Sequence, residues 1–219
     1  MHIVIIHASP RTPSQSNTAR ITESFCTGLI RSGATVETYY LADREQWDAA
    51  RSAFLLGGNL LFALPLYNGQ VPGTMMEFLQ LLSGCVNATQ QTQRKVSFIL
   101  QSGFPEACQR RVCERYLETL PALLGSQFGG VLSHGNTFNI AFGETGAKES
   151  PPCYERMGEL FVAHDATFFF QEALDFTGPE YITEKDAKLF NRIFRFFCEH
   201  TAQAQGCVVD LNHKPYQDN

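Results

Sequence analysis

Five short apolar runs alternate along this chain with segments of helical spacing, and that alternation limits the folds open to it. Ile3-Val4-Ile5-Ile6 is continuous rather than alternating, the pattern of a strand buried on both faces. From Ser16 the period changes: Ile21, Phe25 and Leu29 recur four apart and Gly33 is a stop signal, which predicts a helix capped by Ser16 or Asn17. Strands are expected again at Thr35–Leu41, Asn59–Leu64, Lys95–Leu100 and Gly130–Phe138. Between them fall a short polar helix from Arg44 to Ala53, a helix with Met75, Phe78, Leu79 and Leu82 on one stripe, and a helix marked by Val112, Tyr116 and Leu120. Such alternation specifies an α/β protein, a three-layer sandwich with a five-stranded parallel sheet covered on both faces.

After Phe138 the rhythm breaks. Residues 139–152 are rich in Gly, Ser, Thr and Glu and end in a Pro-Pro pair. Two helices are expected beyond them, the second opening on the capping-box pattern Thr183-Glu-Lys-Asp186 and carrying Phe190, Ile193, Phe194 and Phe197 on one face. No internal repeat or domain boundary stands out, so one domain over 1–219 is expected, with its core at about 1–138 and a C-terminal loop and helices at 139–219.

Composition removes several function classes. The net charge is −5 and no basic cluster exceeds Arg110-Arg111, which argues against nucleic-acid binding and against an anionic membrane surface. No apolar run approaches the roughly 18 residues of a membrane span, and no leader pattern precedes Ile3, so a cytoplasmic protein without membrane insertion is expected. The seven cysteines show neither a CxxC nor a Cys/His ligand spacing, which reads as free thiols and no metal.

The loop His7-Ala-Ser-Pro-Arg-Thr-Pro-Ser-Gln-Ser-Asn-Thr18 follows the first strand. In an open α/β sheet, ligands sit beyond the carboxyl ends of the strands. Its hydroxyls and amides suit a phosphate monoester, because the next helix points unpaired N–H groups at an anion while Ser, Thr and Asn donate from the sides. Neither GxxxxGK followed by Ser or Thr nor GxGxxG is present, so a P-loop and a dinucleotide fingerprint are both excluded. Asp43, which lies where a ribose contact would fall, is read instead as a helix N-cap. His7 is read as a buried residue more than as a phosphate neighbour, and His134 as a packing residue.

Ser9-Pro10-Arg11 followed by Ser16-Asn17-Thr18, together with Pro65, Tyr67, Asn68 and Pro72-Gly73 and with Gln101-Ser-Gly-Phe-Pro105, resembles flavodoxin-like NAD(P)H-dependent FMN reductases and quinone reductases. The resemblance spans about residues 1–138. It implies the strand order 2-1-3-4-5 and a bound FMN, with NAD(P)H as co-substrate. It also implies a small-molecule electron acceptor such as a quinone or a flavin, and a homodimer. Carried onto this chain, Ser9, Arg11, Ser16, Asn17 and Thr18 would hold the FMN phosphate. Pro65, Leu66, Tyr67, Asn68 and Gly69, with Ser102, Gly103 and Phe104, would meet the ring. Met76 and Gln80 stand where many members carry Lys and Asp, and the cysteine-rich insertion of the iron–sulfur branch is missing. No side-chain catalytic group is expected, because the flavin carries hydride chemistry while the protein supplies position and electrostatics. A one-electron carrier like flavodoxin and a cofactor-free binding module are the alternatives. Residues 139–152 are expected to cover the active site.

Overall fold

In the computed structural model, which describes residues 1–86, 93–140, 152–207 and 210, β1 (His2–His7), β2 (Thr35–Tyr40), β3 (Asn59–Pro65), β4 (Lys95–Gln101) and β5 (Gln127–His134) form one parallel sheet. The order is β2-β1-β3-β4-β5, which makes this a flavodoxin-like α/β fold. The helices of the first part of the chain are α1 (Asn17–Arg31), α2 (Trp47–Leu56), α3 (Gly73–Ser83), α4 (Arg111–Leu123), α5 (Pro152–Ala163) and the short α6 (Gln171–Asp175). Side chains alternate across the pleat. Val4, Ile6, Phe62 and Phe98 meet Trp47 and Phe54 of α2, Phe78 of α3 and Leu117 of α4. Ile3, Ile5, Leu61 and Ile99 meet Phe25 and Leu29 of α1 and Tyr154 and Phe161 of α5. The layers are therefore helix, sheet and helix, as the alternation of the sequence requires.

On the second face α1 and α5 touch backbone to backbone. A Cβ built on Gly28 would overlap the main-chain carbonyl of Glu155, and one on Gly158 would overlap that of Phe25. Two glycines inside helices are unfavourable by propensity, at ~1 kcal/mol each, and here close packing requires them.

Three boundaries differ from expectation. β5 runs over Gln127–His134, not Gly130–Phe138, and Thr137–Ile140 forms a 3-10 turn. The glycine pair that reads as a strand start lies inside the strand, where the β4–β5 register shifts between Val96 and Phe98. Gly130 has φ +94° there, and Phe168 packs over it. The buried stripe of α4 is Cys113, Leu117 and Leu120, whereas Val112 faces solvent. Both rows have helical spacing, four and four against four and three, and cysteine fills the inner position as a small hydrophobe. The second helical segment is a 3-10 turn at Arg44–Gln46 followed by α2, which buries Trp47, Ala50, Ala53 and Phe54 and so is half apolar. Asp43 does cap it, accepting from the Glu45 amide at 3.0 Å.

The chain divides into two compact units, Met1–Glu180 and Tyr181–Asn219. The sheet and α1 to α6 lie in the first. The second contains α7 (Glu184–Ala204), capped by Thr183, which accepts from the Asp186 amide at 3.2 Å. Phe190 and Phe194 stack along α7 with centroids 6.3 Å apart. With α5 and α6 ahead of α7, three helices rather than two follow residue 151 among the described residues.

Candidate functional site

The carboxyl ends of β1, β3, β4 and β5 meet around one cleft of about 220 Å³. It is lined by Ser9, Arg11, Ser16, Asn17 and Thr18 from the first loop, Pro65, Leu66 and Tyr67 from the second, and Ser102 and Gly103 from the third. Asn68, Gly69 and Phe104 are not among the lining residues. Asn68 and Gly69, with φ +50° and +79°, form the two-residue turn that lets Tyr67 and Gln70 exchange both backbone hydrogen bonds at 3.0 Å. That turn fixes Tyr67 at the rim, where it is 39% exposed.

Two lining residues were not foreseen: Gln101, the last residue of β4, and Thr137, which follows β5. A polar side chain ending an otherwise apolar strand was the available signal for Gln101. Thr137 offered none, because the strand was expected to run through it. Thr137 joins the third loop through its amide, which donates to the Ser102 carbonyl at 3.1 Å, and Asn17 Nδ2 donates to the Thr137 carbonyl at 3.0 Å. Among the described residues, four loops rather than three therefore contribute to the cleft.

The hydroxyls of the cleft share one arrangement. Ser9 Oγ accepts from the Arg11 amide at 3.2 Å, Ser16 Oγ from the Ala19 amide at 3.3 Å, and Ser102 Oγ from the Phe104 amide at 3.2 Å. Thr18 Oγ1 accepts from Gln101 Nε2 at 3.2 Å. Each buried oxygen has a lone pair engaged by an N–H group, which leaves its own hydrogen to donate elsewhere. The first backbone bond of α1 runs from the Arg20 amide to the Ser16 carbonyl, so the amides of Asn17 and Thr18 are also outside the helical ladder. The lining is therefore rich in donors, and among the described residues it holds no carboxylate.

Arg110 braces the third loop from below. It is fully buried; Nε donates to Ser133 Oγ at 2.8 Å, and its terminal nitrogens donate to the carbonyls of Phe104, Glu106 and Thr177 at 3.4, 3.2 and 2.5 Å. Burial pulls its pKa below the ordinary value, and the Glu114 carboxylate opposes this. Arg110→Met keeps the volume and removes every donor, so it is expected to lower stability by about 3 kcal/mol, as loss of one partner from a buried ionic network does. Urea denaturation measures this, and a loss under about 1 kcal/mol would contradict it.

His7 and His134 end β1 and β5. His7 is buried and stacks on Tyr40 with centroids 4.4 Å apart, and its Nδ1 has no hydrogen-bond partner. It is thus a packing residue, as expected, though not a satisfied one, and burial lowers its pKa to about 3. His134 Nδ1 lies 2.6 Å from the Tyr154 hydroxyl. Burial first, and the Arg110 charge second, lower the His134 pKa to about 4. Burial raises that of Tyr154, so a neutral imidazole faces a neutral phenol.

A wider groove of about 580 Å³ flanks β5, lined in part by Arg111, Arg115, Glu114, Glu118 and Phe169, so its charges are of both signs. Among the described residues no group of side chains could hold a metal ion, and no helix is long and apolar enough to cross a membrane. Residues 141–151, most of the segment expected to cover the site, lie outside the described residues.

The sheet order defines a flavodoxin-like α/β fold, and a donor-rich cleft lies at the carboxyl edge of its sheet. No protein-family model and no curated protein matches the chain. Solved structures do. An FMN-dependent NADH-azoreductase from Bacillus anthracis str. Ames Ancestor, in complex with FMN, is similar over 75% of this chain and 99% of its own, at TM-score 0.55 and 14% identity. The Trp repressor binding protein from Bacillus subtilis is similar over 61% and 83%, at TM-score 0.50 and 20% identity. The flavodoxin of Streptococcus pneumonia TIGR4 is similar over 76% and 97%, at TM-score 0.50 and 18% identity. At these identities the likeness is one of fold.

Proposed function

We propose that this protein is an FMN-dependent NAD(P)H oxidoreductase that delivers electrons to a small-molecule acceptor, a quinone, a flavin or a similar compound. The observation that carries the proposal is the set of four cleft hydroxyls whose lone pairs are engaged by N–H groups, those of Ser9, Ser16 and Thr18 leading into the start of α1 and that of Ser102 in the third loop. Donors that line one cleft at a helix start, with no carboxylate among the described lining residues, match a phosphate monoester. The named FMN complex among proteins of this fold supports the same ligand.

Ser9, Ser16, Asn17 and Thr18 would hold the phosphate, with Arg11 adding charge from the rim. Leu66, Tyr67, Ser102 and Gly103 would border the ring. The cleft is smaller than the ~300–1,000 Å³ of pockets that enclose their ligands, which suits a ligand gripped at one end with its flat part at the open mouth. When bound, FMN supplies the two-electron chemistry, taking hydride from NAD(P)H and passing the electrons on. The chain's own part is to fix the ligand's polar end, to aim the amides of the second and third loops at the ring edge and to leave one ring face open.

Two measurements test this. Protein mixed with FMN and passed through gel filtration is expected to emerge yellow and to oxidise NADH or NADPH when a quinone is supplied. Asn17→Asp places a carboxylate beside the phosphate and removes the donor to the Thr137 carbonyl. It is expected to weaken FMN binding at least about tenfold, about 1.4 kcal/mol. Unchanged affinity would detach Asn17 from the phosphate, and a protein that retains no FMN would end the flavin reading.

A further inference from the structure

We propose that Gln101 is a positioning residue that holds the Thr18 hydroxyl in its donating direction, and through it supports the preference of the cleft for a phosphorylated over an unphosphorylated flavin. The proposal rests on the flavin reading above. Gln101 closes β4 beside Pro65 of β3 and His134 of β5, so the sheet itself fixes where its side chain starts. The amide is buried between two hydroxyl residues that are also buried, Thr18 and Thr137. At one end Nε2 donates to Thr18 Oγ1 at 3.2 Å. At the other, Thr137 Oγ1 donates towards Gln101 Oε1 and towards the Ser102 carbonyl, the latter at 2.9 Å.

An amide has an acceptor at one end and donors at the other, so this chain of contacts has a direction. With Nε2 on Thr18, the single hydroxyl hydrogen of Thr18 is released towards the cleft that Thr18 lines. Thr137, whose hydrogen is committed to Gln101 and Ser102, offers only lone pairs. The back wall then donates on the α1 side and accepts on the β5 side. If the amide is turned over, Oε1 takes the Thr18 hydrogen, Nε2 donates to Thr137, and Thr137 still donates to the Ser102 carbonyl. All three side chains remain satisfied in either direction, so the internal bonds leave the choice open. A phosphate at the start of α1 needs donors and selects the first direction, whereas a neutral hydroxyl meets either wall equally well. The phosphate thus selects the direction, and Gln101 holds the Thr18 hydroxyl in it by occupying a lone pair from behind.

The experiment is a double-mutant cycle read as the ratio of FMN to riboflavin affinity, with thermal melts of each ligand-free variant as a folding control. Thr18→Val and Gln101→Met, both close in size to the residues they replace, are each expected to lower that ratio about tenfold. The double variant is expected to lower it little further, because one interaction is removed in all three. Equal losses for FMN and riboflavin in Gln101→Met would make the residue structural filler and overturn the proposal. So would independent, multiplying effects of the two substitutions, or an unchanged ratio in Gln101→Met. A native protein that binds riboflavin as tightly as FMN would overturn the phosphate site itself, and one that binds neither would overturn the flavin reading, before any variant is compared.

Discussion

Stability is expected to fall by on the order of 5 kcal/mol between pH 7 and pH 4, because two histidines stay neutral in the folded chain. An unfolded histidine takes up its proton near pH 6.5, whereas His7 and His134 resist until about 3 and about 4. Across that window the unfolded chain binds more protons than the folded one, so stability rises with pH and is lost as pH drops below 6.5. The slope is about 1.4 kcal/mol per pH unit for each residue, and it flattens below the folded pKa values. Urea denaturation at pH 7, 6, 5 and 4 measures the slope. His7→Phe keeps a ring against Tyr40, and the Nδ1 it removes has no hydrogen-bond partner. That variant is expected to show about half the slope; an unchanged one would mean that His7 is already charged in the fold.

Gly28→Val is expected to cost more than about 3 kcal/mol, or to prevent folding. The propensity of an α-helix favours almost any residue over glycine, by up to ~1 kcal/mol. Against this, the added side chain would drive into the Glu155 carbonyl, part of the backbone of α5, which has no rotamer by which to yield. Overpacking against flexible side chains costs roughly 1–3 kcal/mol, and a rigid neighbour raises that. Gly73→Ala is the control: it lies in the first turn of α3 with nothing within 4 Å of an added Cβ. It is expected to be neutral or mildly stabilising. Because α1 begins at Asn17, the Gly28 variant that does fold should also bind FMN more weakly; full stability in Gly28→Val would show that α1 and α5 can slide apart.

The sheet and its helices were legible because burial on two faces imposes an apolar run on each strand and a stripe on each helix. Those signals degrade where two rows of one helix are both apolar, as with Val112 and Cys113, and where a glycine pair lies inside a strand rather than before it. The first loop was legible because Ser9, Ser16, Asn17 and Thr18 are close in sequence. Thr137 lies 35 residues beyond Ser102, whose carbonyl it binds. Only the closing of β4 and β5 side by side brings them together. Gly28 and Gly158 show the same limit: each reads alone as a poor helix residue, and the reason for each is the backbone of the other's helix.

The strand order has a consequence for what can change in this protein. After β1 the chain turns towards β2 at one edge, and from β3 onward it steps towards β5 at the other, so the connections leaving β1 and β3 part in opposite directions. A gap opens between them whatever residues they carry. The recess is thus a product of routing, while the lining side chains from Ser9 to Ser16 belong to a loop that the sheet does not need. Grafting a different loop over residues 9–16 should therefore leave the scaffold standing and alter only what the recess accepts.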